Sequence, residues 1–146
     1  MRIVLYTLIF ILAFSTISCK EETVDWSWCT DCQVTDVLGE YEGSGNHLRF
    51  TDSIHFIQKN NVDVTLKLSE SGSSVLASTN VVNVFSSSIS GVYDDDYYLQ
   101  FSGNKQTFNA TIWRKENQIK LVGTIKKTDS EGETLELLDF EVFRLE

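Results

Sequence analysis

The chain reads as an all-β protein of antiparallel strands joined by hairpins, either an up-and-down barrel or a sandwich. Three observations predict this. From Val34 onward apolar residues recur mostly with a period of two; Val62, Val64, Leu66 and Leu68 alternate with Asp63, Thr65 and Lys67, as in a strand with one buried face. Clusters rich in Gly, Asn, Asp and Ser interrupt these runs at short intervals, which favours hairpins over long crossovers. Proline is absent from all 146 residues. Because edge strands are often blunted by proline or charge, its absence favours a closed barrel with few edges.

In chain order, strands are expected near 38–43, 47–58, 62–69, 74–77, 80–86, 96–102, 106–114 and 118–127, with a ninth near 133–145. The first two are separated by Gly43-Ser44-Gly45-Asn46, and the second and third by Lys59-Asn60-Asn61. Ser71-Gly72-Ser73 closes the third. Phe108, Ala110 and Ile112 alternate with Thr107, Asn109 and Thr111, and Tyr97, Leu99 and Phe101 do likewise around Tyr98 and Gln100. Ser102-Gly103-Asn104-Lys105, Glu116-Asn117 and Asp129-Ser130-Glu131-Gly132 supply the later turns. Ser86 to Gly91, running on to Asp94-Asp95-Asp96, makes the longest irregular stretch. In the last strand Leu135 and Leu137 share one parity and Leu138, Phe140 and Val142 the other, so a bulge or a strand covered on both faces is required.

The first residues carry a different signal. Arg2 is followed by an apolar run from Ile3 to Phe14, too short for the roughly 20 residues that span a bilayer core and typical of a secretory peptide. Thr16-Ile17-Ser18-Cys19 then resembles a bacterial lipobox, which implies cleavage before Cys19 and acylation of that cysteine. Lys20-Glu21-Glu22 resembles the surface-export signal of Bacteroidota-type lipoproteins. The resemblance implies a signal peptide over 1–18, an acidic tether over 19–33, a β-domain over 34–146, and an outer-membrane location, lipid-anchored and exposed at the cell surface. Each buried CH₂ contributes about 0.8 kcal/mol, so several acyl chains on Cys19 would hold the protein to its membrane almost irreversibly.

The part from Cys19 onward holds 11 basic and 21 acidic residues, a formal charge of −10. Such a surface repels phosphate backbones, so nucleic acid is excluded as a partner. With Cys19 lipidated, Cys29 and Cys32 remain as an even pair in an oxidising compartment. They fit a structural disulfide or intermolecular pairing. Trp28-Cys29-Thr30-Asp31-Cys32 has the spacing of a redox motif without the βαβ pattern of a thioredoxin, and a zinc site would need His47 and His55, whose spacing is wrong for a finger. Asp94, Asp95 and Asp96 lack the remaining ligands of an EF-hand, and no Gly-x-Ser-x-Gly elbow occurs. His47 and His55 alternate away from Leu48, Phe50, Ile54 and Phe56, which predicts that both point outward. Glu40 and Glu42 lie on one strand face and read as an exposed polar face as readily as a glycosidase pair. No enzyme and no cofactor is expected. Asp52-Ser53-Ile54 resembles a short O-glycosylation motif of Bacteroidota-type secreted proteins.

Leu38-Gly39-Glu40-Tyr41 resembles the opening strand of lipocalin-like or calycin barrels, with Tyr41 in place of their tryptophan. That resemblance implies an up-and-down barrel of eight or nine strands, closed at one end by Gly39, Tyr41 and the cation of Arg144 stacked on the ring. Tyr41, Phe56, Val64, Leu66, Leu99, Phe101, Phe108 and Ile112 would line its inside. The function implied is non-enzymatic binding of a small apolar ligand or a partner. In the alternative, a β-sandwich adhesion or accessory module binds protein or glycan through its outer face and the 86–96 loop.

Overall fold

The computed structural model describes residues 25–52, 55–93 and 97–146. Its elements are β1 (Ser27–Trp28), α1 (Val34–Val37), β2 (Gly39–Phe50), β3 (Phe56–Ser71), β4 (Ser74–Val81), β5 (Phe85–Gly91), β6 (Tyr98–Gly103), β7 (Gln106–Lys115), β8 (Gln118–Thr128) and β9 (Thr134–Arg144). All nine strands belong to one antiparallel sheet in the order β5-β4-β3-β2-β9-β8-β7, with β6 and β1 sharing the far edge of β7. The chain is therefore all-β and barrel-like, a meander whose first long strand returns to its last. A two-sheet sandwich is not what forms.

Pairing of β2 with β9 runs from Tyr41↔Arg144 to Arg49↔Glu136. Among the described residues no ladder joins β5 to β6. Side chains bridge that seam instead. The Ser87 hydroxyl donates to Gln106 Oε1, and a Cβ on Gly91 would stand 2.2 Å from Phe101 Cδ1, so the end of β5 rests on the Phe101 ring.

The inner face follows the predicted alternation: Val64, Leu66 and Leu68, then Leu99 and Phe101, Phe108, Ala110 and Ile112, and Leu138, Phe140 and Val142 are all buried. Phe101, Phe108 and Phe140 stack with centroids 5.5 and 5.8 Å apart and fill the middle of the barrel. Phe140 is flanked by Gly45 on β2 and Gly123 on β8. A Cβ at Gly123 would meet Asn109 O at 2.1 Å, so the backbones approach more closely there than any larger residue permits.

Several boundaries differ from the expectation. Gly43 to Asn46 is not a turn but the middle of β2, and Lys59-Asn60-Asn61 is a bulge within β3, where the register shifts between Gly45 and His47. Asn61 adopts φ 51° and donates its N–H to Asn46 Oδ1. The chain reverses between Phe50 and Phe56, where the Asp52 carboxylate accepts the His55 N–H at 2.8 Å. The bulge reverses parity along β3, so Phe56 faces outward and is 53 % exposed rather than lining the interior. Ser86 to Gly91 is strand β5, its inward side held by Phe85, Ser87 and Ile89. In β9, Leu135, Leu137, Phe143 and Leu145 share the outer face, and the register shift sits at Lys127/Thr128.

Candidate functional site

One end of the barrel is closed from the N-terminal side. α1 is a single turn whose entry is fixed by the Gln33 N–H donating to the Asp36 carboxylate. Two strand residues satisfy its last carbonyls. The buried Tyr41 hydroxyl donates to Val37 O at 2.5 Å, and Arg144 Nη1 donates to Asp36 O at 2.7 Å. The guanidinium lies over Gly39, whose φ of 148° suits glycine and whose Cβ would come within 3.1 Å of Arg144 Nε. Gly39, Tyr41 and Arg144 thus meet at one end, but the guanidinium rests over Gly39 and on α1 rather than stacking on the Tyr41 ring as expected. Burial raises the Tyr41 pKa, and the charge of Arg144 opposes that rise.

Before α1 the chain is strapped to the barrel. β1 takes over the edge of β7 where β6 stops, pairing Ser27 with Arg114 and Trp28 with Trp113, and the Cys29 N–H continues to Ile112 O. Cys29 and Cys32 form a disulfide with Cα atoms 5.5 Å apart, and both are buried. Tyr93 donates its hydroxyl to Cys32 O, and Asp31 pairs with Arg114 at 2.6 Å. That hydrogen bond holds the Asp31 carboxyl below its ordinary pKa. Both thiols are consumed in this bond, and among the described residues no three His, Cys, Asp or Glu side chains gather as metal ligands.

The strap also builds an outer aromatic face. Trp28 stacks on Tyr97 at 5.3 Å and meets Trp113 edge-on at 5.9 Å, while Trp26 meets Phe143 at 5.8 Å. Lys120 Nζ stands 4.8 Å over the Trp26 ring and 2.9 Å from Glu141 Oε1. Trp28 is 55 % exposed and Phe143 43 %.

The opposite end is polar inside. His47 is buried, only 3 % exposed, and faces inward, the reverse of its expected direction. The inner lane of β2 runs Tyr41, Gly43, Gly45, His47, and its glycines carry no apolar signal, whereas Leu48 and Phe50 lie on the outer face. His47 Nε2 is 3.6 Å from Glu136 Oε1, beyond a hydrogen bond, and has no hydrogen-bond partner; Thr79 Oγ1 is likewise buried and unpartnered. Lys127 Nζ pairs with Glu136 Oε2 at 3.1 Å and lies 4.2 Å over Phe85, which packs on His47 at 5.6 Å. Gln106 stands beside Lys127, Lys59 opposite His47, and Arg49 opposite Glu136. Desolvation lowers the His47 pKa, Glu136 opposes that, and Lys59 and Lys127 lower it further. The imidazole is therefore held neutral beside three cations and one acid. Lys127 and Glu136 remain 24 and 20 % exposed, so this layer opens to solvent.

The remaining sequence-derived residues take other places. Cys19, Lys20, Glu21 and Glu22 lie outside the described residues, as do Asp94 to Asp96 and Ser53-Ile54. His55 is exposed between β2 and β3 with its ring on Asp52. Glu40 and Glu42 are exposed, and a hydrogen bond from Lys67 at 2.8 Å holds the Glu40 carboxyl below its ordinary pKa. Sequence reasoning missed the inward layer of His47, Lys127 and Glu136, because Gly43 and Gly45 leave the lane from Tyr41 to His47 without an apolar pattern. No family model matches the chain, and no curated protein matches it.

Proposed function

We propose that this protein is a non-enzymatic lipoprotein, anchored through Cys19 at the outer membrane and exposed at the cell surface, whose barrel binds a small amphipathic ligand at the end remote from α1. The observation that carries the reading is the polar layer around His47. The buried His47 Nε2 has no hydrogen-bond partner there, and a polar atom so left costs about 1–3 kcal/mol. The stacked phenylalanines leave the middle of the barrel to side chains, which moves the binding position to this end. On the inward lanes Arg49, Lys59 and Lys127 accompany one acid, Glu136, while Asp52, Asp129 and Glu133 stand outside them at the rim; an anionic head group fits the inward lanes, with its apolar part on Phe85.

The test compares a medium-chain carboxylate with the alcohol of equal length by thermal shift. The carboxylate is expected to raise the melting temperature and the alcohol not to, with the difference lost in Lys127→Gln. Equal shifts, or none, would remove this ligand class. Anchoring is tested separately: Cys19→Ala is expected to abolish acyl labelling, whereas alanine at Lys20, Glu21 and Glu22 together keeps the lipid and lowers access of external protease in intact cells.

A further inference from the structure

We infer that the aromatic face built by β1 on the barrel is the surface that the protein turns toward the lipid headgroups of its own membrane. The inference rests on the reading of Cys19 as the anchored residue. Trp26, the first residue of the cluster, is seven positions from Cys19, and a chain of that length reaches about 25 Å at most. Whatever path those residues take, this face lies within that distance of the anchor. His47 is five residues farther along β2 than Glu42, the partner of Phe143, so its end lies about 17 Å of untilted strand beyond this face.

The chemistry matches the position. Trp28, Trp113 and Tyr97 present apolar bodies with a polar atom each, the amphipathic type that settles where hydrocarbon meets water. Trp113 Nε1 is buried without a hydrogen-bond partner. Lys120 carries its ammonium at the centre of the rings, 5.7 Å from the Trp113 centroid and 5.9 Å from that of Phe143, where a phosphate oxygen could reach it. The face carries Lys120, paired with Glu141, and the exposed Glu42 opposite Phe143, so it presents charge of both signs. A zwitterionic headgroup layer is therefore the occupant that fits it, and the ligand-binding end is left facing away from the membrane.

The chain has three tryptophans, Trp26, Trp28 and Trp113, and all three stand in this cluster. Its indole emission therefore reports on this face alone. The full protein, purified from membranes with the Cys19 modification read by mass spectrometry, is placed in phosphatidylcholine vesicles with or without bromine in the acyl chains. Brominated lipid is expected to lower indole emission about two-fold, as for side chains at headgroup depth, and Phe143→Ser to weaken that quenching while keeping every tryptophan. Acylated protein whose emission ignores the bromines would overturn the inference and leave the anchor intact. Absence of an acyl group would remove the anchor reading and this inference with it. Emission that responds to soluble polysaccharide but not to brominated lipid would make the face a glycan platform and overturn the inference as well.

Discussion

Replacing Tyr41 with phenylalanine tests how the α1 end of the barrel is held. The ring stays and only the hydroxyl leaves, so the buried carbonyl of Val37 loses its donor. An unsatisfied buried acceptor costs about 1–3 kcal/mol. For a domain of this length about 4 °C of melting temperature accompanies each kcal/mol, so Tyr41→Phe is expected to melt roughly 4–12 °C lower. Arg144→Ala removes the donor to the adjacent carbonyl, of Asp36, at a more exposed position, and is expected to cost about 1 kcal/mol. Because each bond holds the turn that presents the other's acceptor, the double variant should depart from additivity by about 0.5 kcal/mol or more. Urea unfolding followed by circular dichroism measures all four corners of the cycle. Additive losses with Tyr41→Phe below about 0.5 kcal/mol would refute the idea that these residues close the end jointly through α1.

Three further outcomes are expected. His47 has a lowered pKa in the folded state, so the unfolded chain binds more protons; stability is full above about pH 6.5 and declines as pH falls toward the folded value. His47→Gln should flatten that decline in pH-dependent melting between pH 7 and 5, and an unchanged slope would show that another group is responsible. Gly123→Ala, whose Cβ would sit 2.1 Å from Asn109 O, should cost about 3 kcal/mol or prevent folding, whereas Gly103→Ala, with open space around it, should stay within about 0.5 kcal/mol. The Cys29–Cys32 disulfide closes only a short loop, so its reduction should cost about 2 kcal/mol of stability or less, while near-ultraviolet circular dichroism from the Trp28–Tyr97 stack changes strongly. A large loss of barrel stability would mean that the strap organises the fold rather than decorating it.

What could be read from the residues follows from what a period-two pattern records. It marks faces wherever side chains differ in polarity, and so β7, β8 and the outer half of β3 were legible from Phe108, Ile112, Leu121, Val64 and Leu66. It is silent where the inner lane holds glycine, as at Gly43 and Gly45, and there a strand interior read as a turn. It also misleads across a bulge. Asn60 and Asn61 carry turn chemistry, yet they insert one residue into a continuous strand and send Phe56 to the opposite face. The meeting of Gly39, Tyr41 and Arg144 was legible because it depends on the two ends of a meander coming together. The inward layer of His47, Lys127 and Glu136 was not, because polar residues on a buried face look like solvent-facing ones until the register is known.

The pairing of β2 with β9 has a consequence for the order in which the protein can be made. These strands are about a hundred residues apart, and β9 ends two residues before the C-terminus. Without β9 the two halves of the sheet, β2–β5 and β6–β8, share no ladder, so the chain cannot join them until that strand has been synthesised. Until then β2 is unpartnered on one side, and contacts of such separation form slowly.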